Sequence, residues 1–397
     1  MLRTILKPAP LPTQAAAHAR VLLSHSLRAH HSSAPLGAPA EGLQKRIAFT
    51  FDIDGVLIRG PHALPHAAPA LQQLDRHNIP WILLTNGGGR SEQDRVDGLS
   101  ALLKTPIHRD QFIQSHTPLK PLASKYKRVL VIGGDGDRCR HVAEDVYGFS
   151  EAVITADIVR ANPSVWPFHR YTTSELETIA RPHFQPDQSP IDAVLVFNDP
   201  RDMGADLQIV IDVLLSEGGH VGTRRAAVGT PNGPATPAEA ATPSVPIFFS
   251  NDDLLWANPY PVPRFGQGAF RVAVEALYAQ LTRGAHLEST IIGKPHRFTY
   301  DYANRVLLEW TQKTHTASNG NGAADKMTAF DKVFMVGDNP ASDITGANAY
   351  GWDSLLVRTG VFHDEDLPGL PKEARPTHIF DHVGDAVQHG ISYAMGK

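Results

Sequence analysis

The sequence contains very little cysteine and no long apolar run. Among its 397 residues Cys139 is the one cysteine, which excludes an intramolecular disulfide framework and a zinc site built from several thiolates. No stretch reaches the length of about 20 apolar residues that a membrane-spanning helix needs. The formal net charge is −4, and basic residues do not cluster in the body of the chain. We therefore expect no transmembrane segment and no nucleic-acid partner.

Acidic residues are almost missing from residues 1–42, where the first is Glu41. The same segment carries four basic residues, which are Arg3, Lys7, Arg20 and Arg28. It is rich in serine, alanine and histidine, and part of it could form one apolar helical face. This composition predicts a disordered mitochondrial presequence and a protein of the mitochondrial matrix. A disordered extension without address function is the alternative.

The apolar run Ile47–Phe51 predicts a buried strand that ends at two carboxylates and a glycine. Asp52 and Asp54 lie two residues apart, so both side chains project to one side while the chain stays extended, and Gly55 allows the turn that follows. Two carboxylates this close repel each other, which favours a raised pKa or a bound cation. The pair suits acid/base or nucleophilic chemistry, although two aspartates that only cap the turn would share the pattern.

Thr85 and Asn86 follow the next predicted strand, Trp81–Leu84, in the same way. Three glycines come next, and Ser91 begins a predicted helix. A hydroxyl, an amide and a helix N-terminus form a donor-rich turn that suits phosphate oxygens. A capped turn without a ligand is the alternative.

A further predicted strand, Val333–Val336, ends in an acidic turn with Asp338 and Asn339, and Asp343 begins the following helix. Lys294 precedes another predicted helix, over about residues 299–312, and an earlier helix is predicted over residues 206–216. Taken one at a time, the lysine is typical of a surface residue and the aspartates are typical of helix caps.

Strands and helices alternate along most of the chain, which predicts parallel sheets with right-handed crossovers and ligands at the carboxyl ends of the strands. We divide the chain into a presequence, a core in two parts, and an α/β insert between these parts. The predicted limits are 1–42 for the presequence, 43–118 and 289–397 for the core, and 119–288 for the insert, with a loop rich in proline, alanine and threonine at 225–246.

Together these motifs resemble, in order and spacing, those of the haloacid dehalogenase-like (HAD) hydrolase superfamily over about residues 45–362. The matching segments are Asp52-Ile53-Asp54-Gly55-Val56, Leu84-Thr85-Asn86, Gly293-Lys294-Pro295, and Gly337-Asp338-Asn339 with Asp343. The resemblance implies an α/β fold with a doubly wound parallel-sheet core and an inserted cap domain of the C2 type, as in subfamily IIA.

Two further segments narrow the resemblance. Ser250-Asn251-Asp252-Asp253 is similar to the segment that closes such a cap, with Asp252 where relatives often carry proline. Ser115-His116-Thr117-Pro118, together with the leader, resembles the cat-eye-syndrome critical region 5-like mitochondrial group, whose substrate is poorly defined. Caps of this type often pair, so a homodimer through the cap is one expectation.

The resemblance implies a phosphoric monoester hydrolase whose nucleophile is Asp52. Asp52 would attack phosphorus and form an aspartyl phosphate, while Asp54 would protonate the leaving oxygen and later activate water. Mg²⁺ would be held by Asp52, by the backbone carbonyl of Asp54 and by Asp338, a set of oxygen ligands that this ion prefers.

The remaining motif residues are implied to support this chemistry. Thr85, Asn86 and Lys294 would bind the phosphoryl group, and Lys294 would also offset the charge of the nucleophile. Asp343 would order Asn339 or metal-bound water behind the metal ligands.

The expected substrate is a small phosphorylated metabolite. A phospholipid precursor, as in glycerophospholipid metabolism, is the alternative within the enzyme class, and it would favour an exposed apolar patch at the entrance of the cap. A catalytically silent mitochondrial binding module is the alternative from a different class. A receiver domain phosphorylated on aspartate is disfavoured by the large insert and by the position of Asp52 on the first strand.

Overall fold

The computed structural model describes residues 43–186, 188–226, 242–256, 260, 262, 264–318 and 330–397, with the backbone alone for residues 315–318. The predicted presequence and residues 227–241 of the predicted loop lie outside these residues. Within the described part of the chain, no helix combines the length and the apolar character needed to cross a membrane.

The described strands fall into two large sheets and two short hairpins. In chain order they are β1 (Ile47–Phe51), β2 (Ile58–Arg59), β3 (His62–Ala63), β4 (Trp81–Leu84), β5 (Phe112–Ile113), β6 (Arg128–Ile132), β7 (Glu151–Val153), β8 (Ala193–Val196), β9 (Ile247–Phe249), β10 (Leu255–Trp256), β11 (Arg264–Phe265), β12 (Thr290–Ile291), β13 (Lys332–Gly337), β14 (Asp353–Val357) and β15 (His378–Phe380).

The described α-helices lie mainly on the faces of the two large sheets. They are α1 (Ala67–Arg76), α2 (Glu92–Leu103), α3 (Arg138–His141), α4 (Thr155–Ala161), α5 (Thr173–Ile179), α6 (Met203–Leu214), α7 (Gln267–Leu281), α8 (Arg297–Ser318), α9 (Thr345–Tyr350) and α10 (Val383–Ala394).

The first large sheet is the core sheet, with six parallel strands in the order β15-β14-β13-β1-β4-β5. Strand β1 is buried along its whole length, as its apolar run predicted, and it lies between β13 and β4. Phe49 stands beside Phe334 on one side and Trp81 on the other. Because the strands are parallel, their carboxyl ends meet at one edge of the sheet.

The second large sheet belongs to the insert, and its parallel strands follow the order β12-β9-β8-β6-β7. Apolar side chains of β6 and β8 fill the layers on both faces of this sheet, which explains why these strands are apolar without alternation. Strand β12 pairs with β9 of this sheet, so the second sheet extends beyond residue 288, the predicted end of the insert. The predicted domain limits stay predictions.

Helix ends were less predictable than strands. Helix α2 begins where expected, because the Ser91 hydroxyl accepts a hydrogen bond from the Asp94 amide at 3.1 Å. A helix expected from residue 206 to 216 is α6, which starts at Met203 because the Asp202 carboxylate accepts from the Ala205 amide at 3.1 Å. A helix expected over residues 299–312 is α8, which is longer at both ends.

Candidate active site

The carboxyl ends of β1, β4, β13 and β14 surround the candidate active site. Asp52 continues β1 and is buried, and its amide donates to the Val336 carbonyl of β13 at 2.9 Å. Gly55 adopts a φ of +90°, where a side chain is strained, and a Cβ at this position would lie 2.5 Å from Asp338 Oδ2. The glycine that was expected to allow a turn therefore also makes room for a carboxylate from another strand.

Three buried carboxylates meet at this edge of the core sheet. One oxygen each from Asp52, Asp338 and Asp343 lie within 4.8 Å of one another. Oxygen ligands in such a cluster suit a hard divalent cation, which would offset the excess of negative charge. The residues therefore fit a divalent metal. Asp343, which was expected behind the metal ligands, offers an oxygen as near to the cluster as the other two.

Lys294 is the cation that partly balances this cluster. Its side chain is 2% exposed, and its ammonium group contacts Asp343 Oδ1 at 2.7 Å and forms a shorter contact with Asp52 Oδ1. A lysine buried to this degree is stable when its charge is paired. The sequence pattern alone was typical of a surface lysine, whereas the resemblance implied a place in the site.

The charges of the cluster shift its acid–base properties. Burial raises the pKa of Asp52 well above its ordinary value, and the repulsion by Asp343 and Asp338 adds to the effect while Lys294 opposes it. Burial, followed by the charge of Asp343, raises the pKa of Asp338 to about 7. Burial acts to lower the pKa of Lys294, but Asp343 and Asp52 outweigh it and keep the ammonium protonated. The cluster therefore holds more negative charge than one lysine can compensate.

Asp54 lies beside the cluster in a more open position. Its side chain is 60% exposed, and Arg95 of α2 lies 3.8 Å from its carboxylate. Desolvation by the surrounding protein raises the pKa of Asp54, while Arg95 and Lys294 act against it. Water still reaches this carboxylate. An accessible carboxylate with a raised pKa can exchange protons with a bound ligand, which general acid catalysis requires.

The turn after β4 holds Thr85 and Asn86, both of which are buried. The Thr85 hydroxyl accepts from the Gly87 amide at 3.0 Å. The Asn86 amide group donates to the Lys294 carbonyl and to Asp253, both at 3.0 Å, and the Asn86 Oδ1 accepts from the Lys294 amide at 2.8 Å. These partners occupy the Asn86 side chain, which therefore holds the backbone of Lys294 in place.

Asp253 and Asn251 were missed as site residues by sequence reasoning. Both belong to the segment after β9, and Asn251 Nδ2 donates to the Asn86 carbonyl at 3.0 Å. Burial raises the pKa of Asp253 to about 6. Asp252, found where relatives often carry proline, contacts Arg271 at 2.7 Å. The segment that closes the cap is thus hydrogen-bonded directly to the turn after β4. Only the resemblance could suggest this contact from the sequence.

The loop after β14 was also missed. The Val361 amide donates to Asp338 Oδ2 at 2.7 Å. A Cβ on Gly360 would lie 1.8 Å from the same oxygen, so no larger residue fits here with Asp338 in its present position. A glycine shortly after an apolar segment of the core was the available signal, because all strands of a parallel sheet end at the same edge.

The turn after β13 orients the last two predicted residues. The Asn339 amide donates to Asp343 Oδ2 at 3.1 Å, and the Asn339 Oδ1 accepts from the Ala341 amide at 3.0 Å. The Asp343 carboxylate thus contacts the backbone of Asn339, and Asn339 caps the helical turn that carries Asp343. All eight motif residues meet at one edge of the core sheet, and the roles assigned to them stay predictions.

A core sheet with this acidic edge and a second α/β layer inserted in the chain is the architecture of HAD-like hydrolases. A sequence model described as haloacid dehalogenase-like hydrolase matches residues 49–148, and one for related HAD-type hydrolases matches residues 291–386. A mitochondrial hydrolase of Saccharomyces cerevisiae is 45% identical over 353 residues, which cover 86% of this chain and 95% of that protein. The chain therefore belongs to the HAD-like hydrolases and is an enzyme of this class.

A second relative is larger. The cardiolipin synthase (CMP-forming) / mitochondrial hydrolase fusion protein of Schizosaccharomyces pombe is 40% identical over 353 residues, which cover 88% of this chain and 53% of the fusion protein. This chain thus corresponds to about half of that protein.

Solved structures share the fold at low sequence identity. A p-nitrophenyl phosphatase from Archaeoglobus fulgidus gives a TM-score of 0.54 at 17% identity, covering 87% of this chain and 99% of that one. A 4-nitrophenylphosphatase from Thermotoga maritima gives 0.52 at 16% identity, covering 87% and 97%. The predicted fold, a doubly wound core with an inserted α/β cap, is confirmed.

Proposed function

We propose that this chain is an Mg²⁺-dependent phosphatase that hydrolyses a phosphomonoester through a phosphorylated aspartate. The observation that carries the proposal is the buried cluster in which Asp52, at the end of β1, is paired with Lys294 and faces Asp338 and Asp343. A buried carboxylate paired with a lysine, at a site that suits a divalent cation, is an arrangement for attack on an anionic phosphoryl group.

The chemistry assigns a separate task to each aspartate. An oxygen of Asp52 forms a bond to phosphorus while the bond to the leaving oxygen breaks, and Asp54 supplies the proton that the leaving oxygen takes up. Water then attacks the phosphorus of the phosphorylated Asp52 and gives its proton to Asp54, while the bond between phosphorus and the Asp52 oxygen breaks and inorganic phosphate leaves. The raised pKa of Asp54 supports this double role. Bound Mg²⁺, held by Asp52, Asp338 and the Asp54 carbonyl, would offset the negative charge of the phosphoryl group.

The phosphoryl oxygens would lie against the turn after β4 and the Lys294 ammonium. Because protein partners occupy the Asn86 side chain, we assign Asn86 the task of holding Lys294 and the turn in place, with phosphate contacts left to the Thr85 hydroxyl, to backbone amides and to Lys294.

The test is magnesium-dependent release of phosphate from a panel of phosphorylated metabolites, with Asp52→Asn beside the unsubstituted protein. Asp97→Asn is the matched control, since Asp97 is an exposed residue of α2. We expect release that requires both Mg²⁺ and Asp52 and that is unchanged in the control. Unchanged release by folded Asp52→Asn would remove the assignment of the nucleophile. No release by folded protein that binds Mg²⁺ would favour the silent binding module.

A phospholipid precursor is the second candidate substrate, and one feature of the cap favours it. Strands β10 and β11 form an antiparallel hairpin that starts just after Asp253, whose carboxylate contacts the turn at the active site. Large apolar side chains are exposed along this hairpin, among them Trp256 at 49% and Phe265 at 71%. Exposed apolar surface beside an active site favours an amphiphilic substrate. The fusion of a relative to a cardiolipin synthase supports the same direction.

The panel separates the two substrate classes. A short-chain phospholipid phosphomonoester and glycerol phosphate carry the same reacting group but differ in apolar surface. If the hairpin binds lipid, Trp256→Ser should raise the KM for the former and leave the KM for the latter unchanged. Equal effects on both would assign the hairpin another role.

We also propose that the protein acts in the mitochondrial matrix. The composition of residues 1–42 and the names of both relatives support a mitochondrial location, and the matrix is our proposal within it. Import of a fluorescent fusion with and without residues 1–42, followed by protease protection in isolated mitochondria, tests it. The expected homodimer stays a prediction, which light scattering of the purified protein can check.

A further inference from the structure

His116 is a fully buried histidine that the proposed chemistry does not use. It belongs to the Ser115–Pro118 segment, where the chain leaves the core sheet for the cap. Its ring lies parallel to the Phe197 ring at the end of β8, with a centroid distance of 4.7 Å and an interplanar angle of 6°. One side of the imidazole therefore rests on the cap.

The two ring nitrogens bind different parts of the molecule. The Gly89 amide donates to Nε2 at 3.0 Å, and Nδ1 lies 2.7 Å from the Tyr147 hydroxyl. Because a backbone amide can only donate, Nε2 accepts and the ring proton is on Nδ1. Nδ1 then donates to Tyr147, and the Tyr147 hydroxyl donates to Glu92 Oε1 at 2.6 Å. Each donor in this series of hydrogen bonds has one acceptor.

The neighbouring groups keep the His116 imidazole uncharged and in this tautomer. Thr117 Oγ1 also donates to the Glu92 carboxylate, at 2.7 Å, and the pKa of Glu92 lies below its ordinary value because His116, Tyr147 and Thr117 together outweigh the effect of its burial. Burial lowers the pKa of His116 to about 4, against the attraction of Glu92. The imidazole is therefore neutral near pH 7, which leaves Nε2 free to accept.

The glycine loop that His116 contacts is the continuation of the turn that holds Thr85. The Gly87 amide donates to the Thr85 hydroxyl, and the Ser115 amide donates to the Gly87 carbonyl, both at 3.0 Å. Residues 87–89 lack side chains and would otherwise be free to change conformation. His116 and Ser115 hold the two ends of this loop.

We propose that His116 is a positioning residue for phosphate binding, which fixes the Gly87–Gly89 loop through Nε2 and connects this loop to the cap through Tyr147 and Phe197. The proposal rests on the proposed function, because it assigns the loop after Thr85 to the phosphoryl group. When the loop keeps its conformation, its amides and the Thr85 hydroxyl stand ready for the phosphate oxygens, and less order has to be gained on binding. Phosphate affinity should therefore depend on a ring that does not contact phosphate.

Three substitutions separate positioning from mere burial. His116→Gln retains an acceptor near the position of Nε2, whereas His116→Asn retains a polar atom near Nδ1 and none that reaches Gly89. Tyr147→Phe breaks the bonds to Nδ1 and Glu92 but leaves the Gly89 contact, so it controls for loss of stability in the same network. All three are made in the full chain and compared at a temperature where each is folded.

Two measurements read the effect. Hydrogen exchange of the Gly89 amide reports the contact to Nε2 without any substrate. The inhibition constant for inorganic phosphate, together with kcat and KM for the best substrate of the panel, reports the contribution of the loop to phosphate binding and turnover. We expect His116→Asn to speed exchange at Gly89 and to weaken phosphate binding by about tenfold, the equivalent of one lost hydrogen bond. His116→Gln should restore both, and Tyr147→Phe should change them far less.

Equal effects of His116→Asn and Tyr147→Phe, or no rescue by His116→Gln, would overturn the proposal and leave His116 as an ordinary buried residue. If the unsubstituted protein releases no phosphate, the proposed function fails, and exchange at Gly89 with direct titration of inorganic phosphate still decides the role of His116.

Discussion

Replacement of Asp338 by asparagine tests the repulsion within the acidic cluster. Asp338 has two buried carboxylates as neighbours, Asp52 and Asp343, and accepts a hydrogen bond from the Val361 amide. Asparagine keeps the shape of the side chain and an oxygen for that amide, but it removes the charge. In protein freed of metal by a chelator, we expect Asp338→Asn to be more stable than the unsubstituted chain at pH 8.

Two related quantities set the magnitude, which are the repulsion between the carboxylates and the pKa shift to which it contributes. Two like charges no more than 4.8 Å apart repel by at least about 3 kcal/mol at an effective dielectric constant of about 20. A rise of the Asp338 pKa from 3.8 to about 7 corresponds to an upper limit of about 4 kcal/mol for the ionised side chain. Since the shift is shared with neighbouring carboxylates, we expect a gain of about 2 kcal/mol at pH 8.

The pH dependence has a definite sign. Between pH 4 and pH 7 the unfolded chain has lost the Asp338 proton while the folded chain still holds it, so this residue makes stability fall as the pH rises through that range. Above pH 7 the loss is complete, and below pH 4 it disappears. Asp338→Asn should therefore match the unsubstituted protein at pH 4 and exceed it at pH 8.

Urea unfolding at several pH values in the presence of a chelator measures the difference, with Asp97→Asn as the control for loss of an exposed carboxylate. In excess Mg²⁺ the order should reverse, because the bound ion stabilises the protein that binds it more tightly. A variant that is less stable than the unsubstituted chain at pH 8 without metal would refute the electrostatic reasoning.

Three further predictions concern single residues. Lys294→Met leaves two buried carboxylates without their cation and should lower the free energy of unfolding by about 3–5 kcal/mol, whereas Lys313→Met at the surface should cost less than about 1 kcal/mol in the same urea titration. Asp206 is buried in the cap, and its burial raises its pKa to about 7. Asp206→Asn should therefore raise the free energy of unfolding by up to about 4 kcal/mol above pH 7 and leave it unchanged below pH 4. Gly360→Ala should displace the Asp338 carboxylate and weaken the binding of Mg²⁺, which calorimetric titration measures. An unchanged affinity for Mg²⁺ would contradict the close contact between Gly360 and Asp338.

The sequence determined the local parts of this molecule. The apolar run before Asp52 and the capped start of α2 depend on residues that are neighbours in the chain, so their strand and helix could be predicted. The same holds for the order of the motifs, from which the parallel sheet and the place of Asp338 at its edge followed. Helix ends such as the start of α6 differ by a few residues from their predicted positions, because a single capping side chain determines where a helix begins.

Tertiary structure decided what depends on residues far apart in the chain. No local pattern shows that Lys294 is buried between two carboxylates, that the Asn86 side chain is occupied by Lys294 and Asp253, or that Gly360 lies against Asp338. Burial and charge pairing arise only when strands distant in sequence end at the same edge of the sheet. For the same reason the burial of Lys294 and its pairing with carboxylates could not be read from its residue type, because both depend on its tertiary surroundings.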